Sequence, residues 1–147
     1  MSDRTATGKT RRSFLGVTTK GLALAGLAGC AGIPVFTTQA VSGKISVDRN
    51  GFPELAIPGK GIVVRAEGAG EPIILITLAA GEYRALSGVC THLGCTVRLS
   101  RHGLACPCHG STYALDGRVT RGPAPEALRV YSTTVSGDTV VITLNQD

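Results

Sequence analysis

The stretch that decides the fold is Cys-Thr-His-Leu-Gly-Cys at residues 90–95, together with Cys-Pro-Cys-His-Gly-Ser at residues 106–111. The two stretches hold four of the five cysteines and two of the three histidines in the 147-residue chain. Thiolates and imidazoles are ligands for soft metal ions and for iron–sulfur clusters. The pair of stretches therefore predicts a metal site to which two separate segments contribute.

Short runs rich in Val, Ile and Thr surround these two stretches, which is a composition typical of strands. Turn sequences separate the runs, and Ser136-Gly137-Asp138 predicts a hairpin. No segment after residue 43 keeps the 3.6-residue apolar period of a helix. We expect an all-β domain with the metal-binding stretches on loops. The predicted strands are 44–47, 62–66, 73–78, 83–87, 96–99, 111–115, 128–135 and 139–144.

Each stretch supplies one cysteine and one histidine, as Cys90-x-His92 and Cys106-x₂-His109. Zinc accepts such ligands, but its motifs usually pair cysteine with cysteine and histidine with histidine. A [2Fe–2S] cluster with two cysteines on one iron and two histidines on the other needs one of each from both loops. The spacing therefore favours a [2Fe–2S] cluster over zinc and over a purely structural disulfide network.

Two further cysteines, Cys95 and Cys108, stand one in each stretch, at places that we interpret as equivalent. We expect them to form a disulfide that ties the two loops together. Such a bond persists in an oxidising compartment, so it fits an exported domain.

With these motifs, and with Gly122-Pro123-Ala124-Pro125 further along, the chain resembles the Rieske proteins of cytochrome bc-type complexes from about Lys44 to the C-terminus. The resemblance implies a Rieske-type antiparallel β-sandwich with a cluster-binding subdomain of two loops. It also implies that the two cysteines of the ligand set bind the buried iron and the two histidines bind the solvent-facing iron. The implied ligands are Cys90, Cys106, His92 and His109.

The same resemblance implies roles for residues around the cluster. Ser111 and Tyr113 match hydroxyls that donate hydrogen bonds to a bridging sulfide and to a ligand sulfur. The Gly122–Pro125 segment matches the proline loop that covers the third side of the cluster. Apart from the resemblance, Leu93 is expected either to form an apolar rim suited to a quinone ring or to pack within its own loop, and we interpret His102 as a solvated turn residue.

These expectations point to electron transfer. Imidazole ligands carry less negative charge than thiolates, and Rieske potentials accordingly reach about −150 to +300 mV. We expect proton-coupled uptake of one electron from quinol and its transfer to a c-type cytochrome, within a cytochrome bc-type complex that contains cytochrome b. On its own the chain is not expected to turn over. A freestanding periplasmic carrier, or a small subunit of another respiratory oxidoreductase, is the alternative. A ferredoxin of a Rieske oxygenase is disfavoured by the predicted disulfide and by the leader.

The leader holds most of the excess positive charge. Residues 1–29 carry five Lys/Arg and one Asp, whereas the other 118 residues carry ten Lys/Arg and nine Asp/Glu, so nucleic acid is not an expected partner. Arg11 and Arg12 resemble a twin-arginine (Tat) export signal. We expect residues 1–30 to be that signal, with lipidation at Cys30, an uncleaved anchor or cleavage after Ala40 as alternatives. Each of these places the 44–147 domain outside the cytoplasmic membrane, on a tether of residues 31–43.

Overall fold

The structure is a computed structural model that describes residues 32–144. The predicted export signal at Arg11 and Arg12 and the predicted lipidation site at Cys30 lie outside the described residues and stay predictions. Among the described residues, none belongs to a helix of the length and apolarity that a bilayer crossing requires.

A seven-stranded sheet forms the larger part of the fold, and its strands lie in the order β1-β3-β4-β5-β10-β11-β2. The pairing of β1 with β3 is parallel, and the other pairings within this sheet are antiparallel. The strands are β1 (Val35–Gln39), β2 (Lys44–Asp48), β3 (Gly61–Glu67), β4 (Ile73–Ala79), β5 (Glu82–Ser87), β10 (Val130–Ser136) and β11 (Thr139–Thr143). Two short 3₁₀ turns, Arg49–Gly51 and Pro53–Ala56, connect β2 to β3.

A smaller antiparallel sheet follows β5 in the chain and contains the order β6-β7-β8-β9. Its strands have only two or three residues each: β6 (Arg98–Ser100), β7 (Gly103–Ala105), β8 (Thr112–Tyr113) and β9 (Val119–Arg121). The first metal-binding stretch lies in the connection from β5 of the large sheet to β6, and the second lies between β7 and β8 within the small sheet.

Strand β4 is the wall shared by two hydrophobic cores. Ile73 and Leu75 face the core of the large sheet, whereas Ile74 and Ile76 face the core under the small sheet. Because successive strand side chains point to opposite faces, a strand between two cores must be apolar at every position. This explains the uninterrupted run from Ile73 to Ile76.

The sequence predicts most of the strands correctly, and the Ser-Gly-Asp hairpin is confirmed by the pairing of Ser136 with Thr139. Three short strands, β1, β7 and β9, were not predicted. The prediction of a tether is wrong for residues 35–39, because β1 pairs with β3 over its whole length. Its outer face, formed by Val35, Thr37 and Gln39, is exposed, and its inner face is only half-buried, which is why the composition suggested a linker.

Candidate metal centre

The two loops share one backbone design. The N–H of Cys90 donates to the carbonyl of Cys95 at 2.8 Å, and the N–H of Cys106 donates to the carbonyl of Ser111 at 2.8 Å. Within each loop a glycine N–H donates a hydrogen bond to the carbonyl of the first cysteine. Gly94 donates to Cys90 at 2.9 Å, and Gly110 donates to Cys106 at 3.1 Å. Both glycines have φ near +73°, a conformation that other residues adopt at a cost. Each loop is therefore one tight turn that begins at a cysteine.

The predicted cysteine ligands lie at the base of these turns, and the predicted histidine ligands lie at the tip. Cys90 and Cys106 are buried and not disulfide-bonded. The rings of His92 and His109 are neighbours, with centroids 4.9 Å apart and planes at 88°. The histidine pair is closer to solvent, since His109 is exposed and His92 half-buried. The structure thus brings all four predicted ligands to facing loops.

The Nδ1 atom of His92 is buried and has no hydrogen-bond partner. A buried nitrogen without a partner carries a desolvation penalty that only a ligand or a donor can offset. This orphaned nitrogen, two reduced buried thiols and a second imidazole beside it make a donor set of two sulfurs and two nitrogens. That set fits a Rieske-type [2Fe–2S] cluster.

The predicted disulfide between Cys95 and Cys108 is confirmed, with Cα atoms 6.5 Å apart. The expectation that the two cysteines occupy equivalent places is wrong. The shared hydrogen-bond pattern aligns Cys95 with Ser111 and aligns Cys108 with His92, because these residues stand at the same distance from the leading cysteine of each loop. The sulfur of Cys106 lies within 4.8 Å of both disulfide sulfurs, so the cross-link runs directly beside the predicted cluster.

The hydroxyl of Tyr113 reaches the first loop from strand β8. Its oxygen lies 3.2 Å from the sulfur of Cys90 and accepts the N–H of Thr91 at 3.3 Å. The hydroxyl of Ser111 is buried and accepts the N–H of Ala124 at 3.2 Å, which leaves its own proton to donate elsewhere. Both hydroxyls therefore lie beside the ligand loops, and their role in tuning the cluster stays a prediction.

These contacts lower the pKa of the Cys90 thiol. Burial alone raises the pKa of this thiol, but hydrogen bonds from Tyr113, the His92 backbone, Cys106 and Ser111 together outweigh burial. The pKa of Tyr113 moves up, first because the phenol is buried and then because it donates to Cys90. The pocket therefore favours a thiolate at Cys90 and a protonated, donating phenol at Tyr113.

Sequence reasoning did not single out Thr91. Its hydroxyl donates to the carbonyl of Glu126 at 2.8 Å and lies 3.4 Å from the oxygen of Tyr113. Thr91 thereby links the first ligand loop to the chain that follows Pro125. Its position between the predicted ligands Cys90 and His92 was the one indication of this role, although a threonine at that position is equally typical of a turn.

The Gly122–Pro125 segment lies against the second loop. A Cβ at Gly122 would stand 2.5 Å from the Cα of Ser111, and Gly122 has φ +98°. Both facts require glycine at this position. Ala124 is buried, whereas Pro123 and Pro125 are exposed. The segment therefore packs against the second ligand loop, and its predicted role as the cover of the cluster stays a prediction.

The outer rim of the site is apolar in part. Leu93 is 68% exposed and directly follows His92 in the chain. An exposed leucine beside two imidazoles is available for contact with an apolar partner. His102 is exposed in the turn between β6 and β7, away from the ligand loops in sequence, as predicted.

Comparison with known proteins agrees with this geometry. The family model described as "Rieske [2Fe-2S] domain" matches residues 53–132, which is more than half of the chain. The chain is 42% identical over 117 residues to the cytochrome b6-f complex iron-sulfur subunit of Synechococcus sp. (strain JA-3-3Ab), covering 76% of this chain and 65% of that protein. It is 48% identical over 75 residues to the same subunit of Synechococcus sp. (strain JA-2-3B'a(2-13)), covering 48% of this chain and 43% of that protein.

Among solved structures, a chain of a hyperthermophilic respiratory Complex III aligns with a TM-score of 0.51 and 29% identity, covering 65% of this chain and 71% of that one. The matched region spans 43% and 65% of the length of the two curated relatives described above. Its cofactor is one [2Fe–2S] cluster, as the family match implies and as the donor set fits. Fold, donor set and family match agree, and the chain belongs to the Rieske [2Fe–2S] domain family.

Proposed function

We propose that this protein carries single electrons between quinol and a c-type cytochrome as the iron–sulfur subunit of a cytochrome bc-type complex. The observation that carries the proposal is the paired imidazoles of His92 and His109 at the exposed tip of the two loops. When bound, the [2Fe–2S] cluster supplies a one-electron couple. In this proposal Cys90 and Cys106 hold the inner iron, and His92 and His109 hold the outer iron through Nδ1.

The pocket residues set how readily an electron is accepted. The phenol of Tyr113 donates to the sulfur of Cys90, and the proton of Ser111 is available to a second sulfur atom. Donors to sulfur stabilise added negative charge and so raise the potential. We therefore expect a potential in the upper part of the Rieske range of about −150 to +300 mV.

The exposed imidazoles supply a place for the proton. An imidazole that binds metal through one nitrogen presents the other nitrogen to its surroundings. Quinol oxidation releases a proton with each electron, so the outer nitrogen of His92 or His109 can accept the quinol hydroxyl proton. The exposed side chain of Leu93 and the exposed prolines Pro107 and Pro123 offer apolar contact to the ring.

The partners and the location belong to the same proposal. The relatives described above are subunits of cytochrome b6-f complexes, and one structural neighbour belongs to a respiratory Complex III. We therefore infer contact with cytochrome b and c-type cytochrome subunits. Tat export, with a lipid at Cys30 or an uncleaved anchor, would hold the domain at the extracytoplasmic face of the membrane, where the Cys95–Cys108 disulfide persists.

The test is isolation of the tagged full chain from membranes of its source. We expect haem b and haem c to copurify, and we expect the preparation to reduce a c-type cytochrome with a short-chain quinol. His109→Ala should abolish both this activity and the EPR signal of the reduced cluster. The matched control is His102→Ala, which removes an exposed histidine outside the ligand loops and should keep both. Equal loss of signal in the two variants would contradict the ligand assignment.

A freestanding carrier is the second candidate, and one observation favours it. Residues 35–39, which were predicted to be part of a tether, are a strand of the large sheet, so this part of the chain is not a free hinge for domain movement. A cluster-loaded protein that purifies without haem, and exchanges electrons with a soluble cytochrome, would support this candidate instead.

A further inference from the structure

The small sheet has one face in the core and one face in solvent. Leu99, Leu104, Tyr113 and Val119 form a row across its four strands on the core side. The neighbouring row, Arg98, Ala105, Thr112 and Arg121, therefore lies on the opposite face, because adjacent strand residues alternate in direction. Arg98 and Arg121 are exposed.

A bulge is the reason that Arg121 shares this face. Tyr113 pairs with Val119, yet its neighbour Thr112 pairs with Arg121, so one extra residue, Thr120, is inserted in β9. The hydroxyls of Thr112 and Thr120 lie 2.8 Å apart, which places Thr120 on the outer face as well. Bulges redirect side chains in this way. Without the bulge Arg121 would follow Val119 toward the core.

The resulting row has an arginine on each edge strand, and the small side chains of Ala105 and Thr112 lie between the two arginines. Three strand spacings separate the two arginines, which is about 14 Å. Arg101, in the turn between β6 and β7, adds a third exposed cation to the same sheet. We call the sheet face that carries Arg98 and Arg121 the cationic face.

The cationic face stands directly beside the ligand loops. Ala105 precedes Cys106, Thr112 follows Ser111, and Arg121 precedes Gly122 of the proline segment. Charge is concentrated here rather than spread over the domain. Residues 32–89 contain five Lys/Arg and five Asp/Glu, whereas residues 90–129 contain five Arg and two Asp/Glu.

We propose that the cationic face is the docking surface for an acidic electron-transfer protein, which it orients with a redox centre toward the histidine tip. This rests on the proposed function and specifies the charge of the partner. Exposed charges of one sign around a contact site accelerate encounter and suppress wrong orientations. Because the side chains of Ala105 and Thr112 are small, carboxylates of the partner can approach both edge arginines. Arg118 contributes less, because it is paired with Asp116.

The experiment is stopped-flow oxidation of the reduced cluster-loaded protein by two c-type cytochromes of similar potential, one net negative and one net positive. We expect the acidic cytochrome to react faster at low ionic strength, with a rate that falls as salt is added. The double variant Arg98→Gln with Arg121→Gln should slow this reaction about tenfold at low salt and flatten its salt dependence. The midpoint potential of each variant is measured, so that a change in driving force is separated from a change in docking.

The matched control is the double variant Lys44→Gln with Arg65→Gln, which removes the same charge from exposed positions of the large sheet. It should slow the reaction by less than twofold. An equal effect of both double variants, or a faster reaction with the basic cytochrome, would overturn the proposal. So would arginine-dependent binding to phosphatidylglycerol vesicles without discrimination between the cytochromes, which would indicate a lipid surface.

A failure of the proposed function can be distinguished from a failure of the docking surface. If neither cytochrome is reduced at any ionic strength, electron transfer to a cytochrome is contradicted. Calorimetric binding of the acidic cytochrome that weakens in the Arg98/Arg121 variant would still support the docking surface.

Discussion

The large sheet and the small sheet are stabilised in different ways. The large sheet has strands of five to seven residues around a core of aliphatic side chains with two tyrosines. The small sheet has strands of two or three residues, and its core includes both ligand cysteines and Tyr113. Short strands bury little apolar area, so the small sheet depends on cross-links that the large sheet does not need.

The predicted metal site and the small sheet therefore stabilise each other. The disulfide joins the two ligand loops, and the Tyr113 hydroxyl joins the first loop to strand β8. The hydrogen bond from the Ala124 N–H to Ser111 joins the Gly122–Pro125 segment to the second loop. A group bound by both loops adds a further link of the same kind. Perturbing the small sheet should therefore change the cluster, and perturbing the large sheet should change only stability.

Removal of a cluster ligand should have the largest effect on the small sheet relative to the large sheet. Cys106→Ser should abolish iron binding and should remove the amide-exchange protection of β6–β9, because the link between the loops is lost. The strands of the large sheet should keep their protection. Iron content and hydrogen exchange measure these effects, with His102→Ala as the control that keeps both. Full iron content in Cys106→Ser would contradict its role as a ligand.

Truncation in the core of the large sheet should separate stability from the site. Leu75→Ala leaves a cavity under β4 and should lower the free energy of unfolding by about 2–5 kcal/mol. The EPR spectrum of the reduced cluster should not change. Leu104→Ala, in the small-sheet core, should cost a similar amount and also accelerate iron loss. Equal iron loss in both variants, measured at matched fractions of folded protein, would argue against two separately stabilised regions.

Loss of the disulfide should affect the small sheet alone. The double variant Cys95→Ser with Cys108→Ser opens a cross-link between residues 13 apart in sequence, and should cost about 3 kcal/mol. Urea unfolding measures the stability, and iron release to a chelator measures retention of the cluster. We expect faster release, because among the described residues this disulfide is the covalent cross-link between the side chains of the two loops. Unchanged release would show that the disulfide does not support the ligand geometry.

Removal of the phenol hydroxyl should lower the potential with little change in stability. A hydrogen bond worth about 1 kcal/mol to the reduced state corresponds to about 40 mV for one electron. Tyr113→Phe should therefore lower the midpoint by about that amount, and Ser111→Ala should lower it as well. Tyr131→Phe is the matched control, since Tyr131 is a buried tyrosine of the large sheet that donates to Glu71. Unchanged midpoints in Tyr113→Phe and Ser111→Ala would contradict their tuning role.

A separate effect belongs to the large sheet and is expected only at alkaline pH. Burial, and then the hydrogen bond to Glu71, raise the pKa of Tyr131 to about 12 from 10.0. A raised pKa favours the protonated phenol in the folded state, so the stabilisation is complete below pH 10 and is lost as the pH rises through about 12. Urea unfolding across this range should show a pH-dependent loss that Tyr131→Phe removes. The same loss in the variant would assign the titration to another group.

Much of this arrangement was predictable from the sequence. Local ligand spacing, the turn glycines and strand composition are short-range signals, so the two loops, the strand-rich fold and the Cys95–Cys108 pair could be derived from them. Strand β1 could not, because its placement depends on pairing with β3, and each residue of β1 pairs with one that lies 28 positions further along the chain. The role of Thr91 was missed for the same reason, since its partner Glu126 is distant in sequence.

By itself the sequence determined the donor set, because the choice of two thiols and two imidazoles is a property of residue type and local spacing. The atoms that surround these donors depend on the tertiary structure. It placed Tyr113 against Cys90, left Nδ1 of His92 without a partner, and aligned Arg98 with Arg121 across a bulged sheet. Each of these depends on strand register, and register is set by long-range packing that no local pattern encodes.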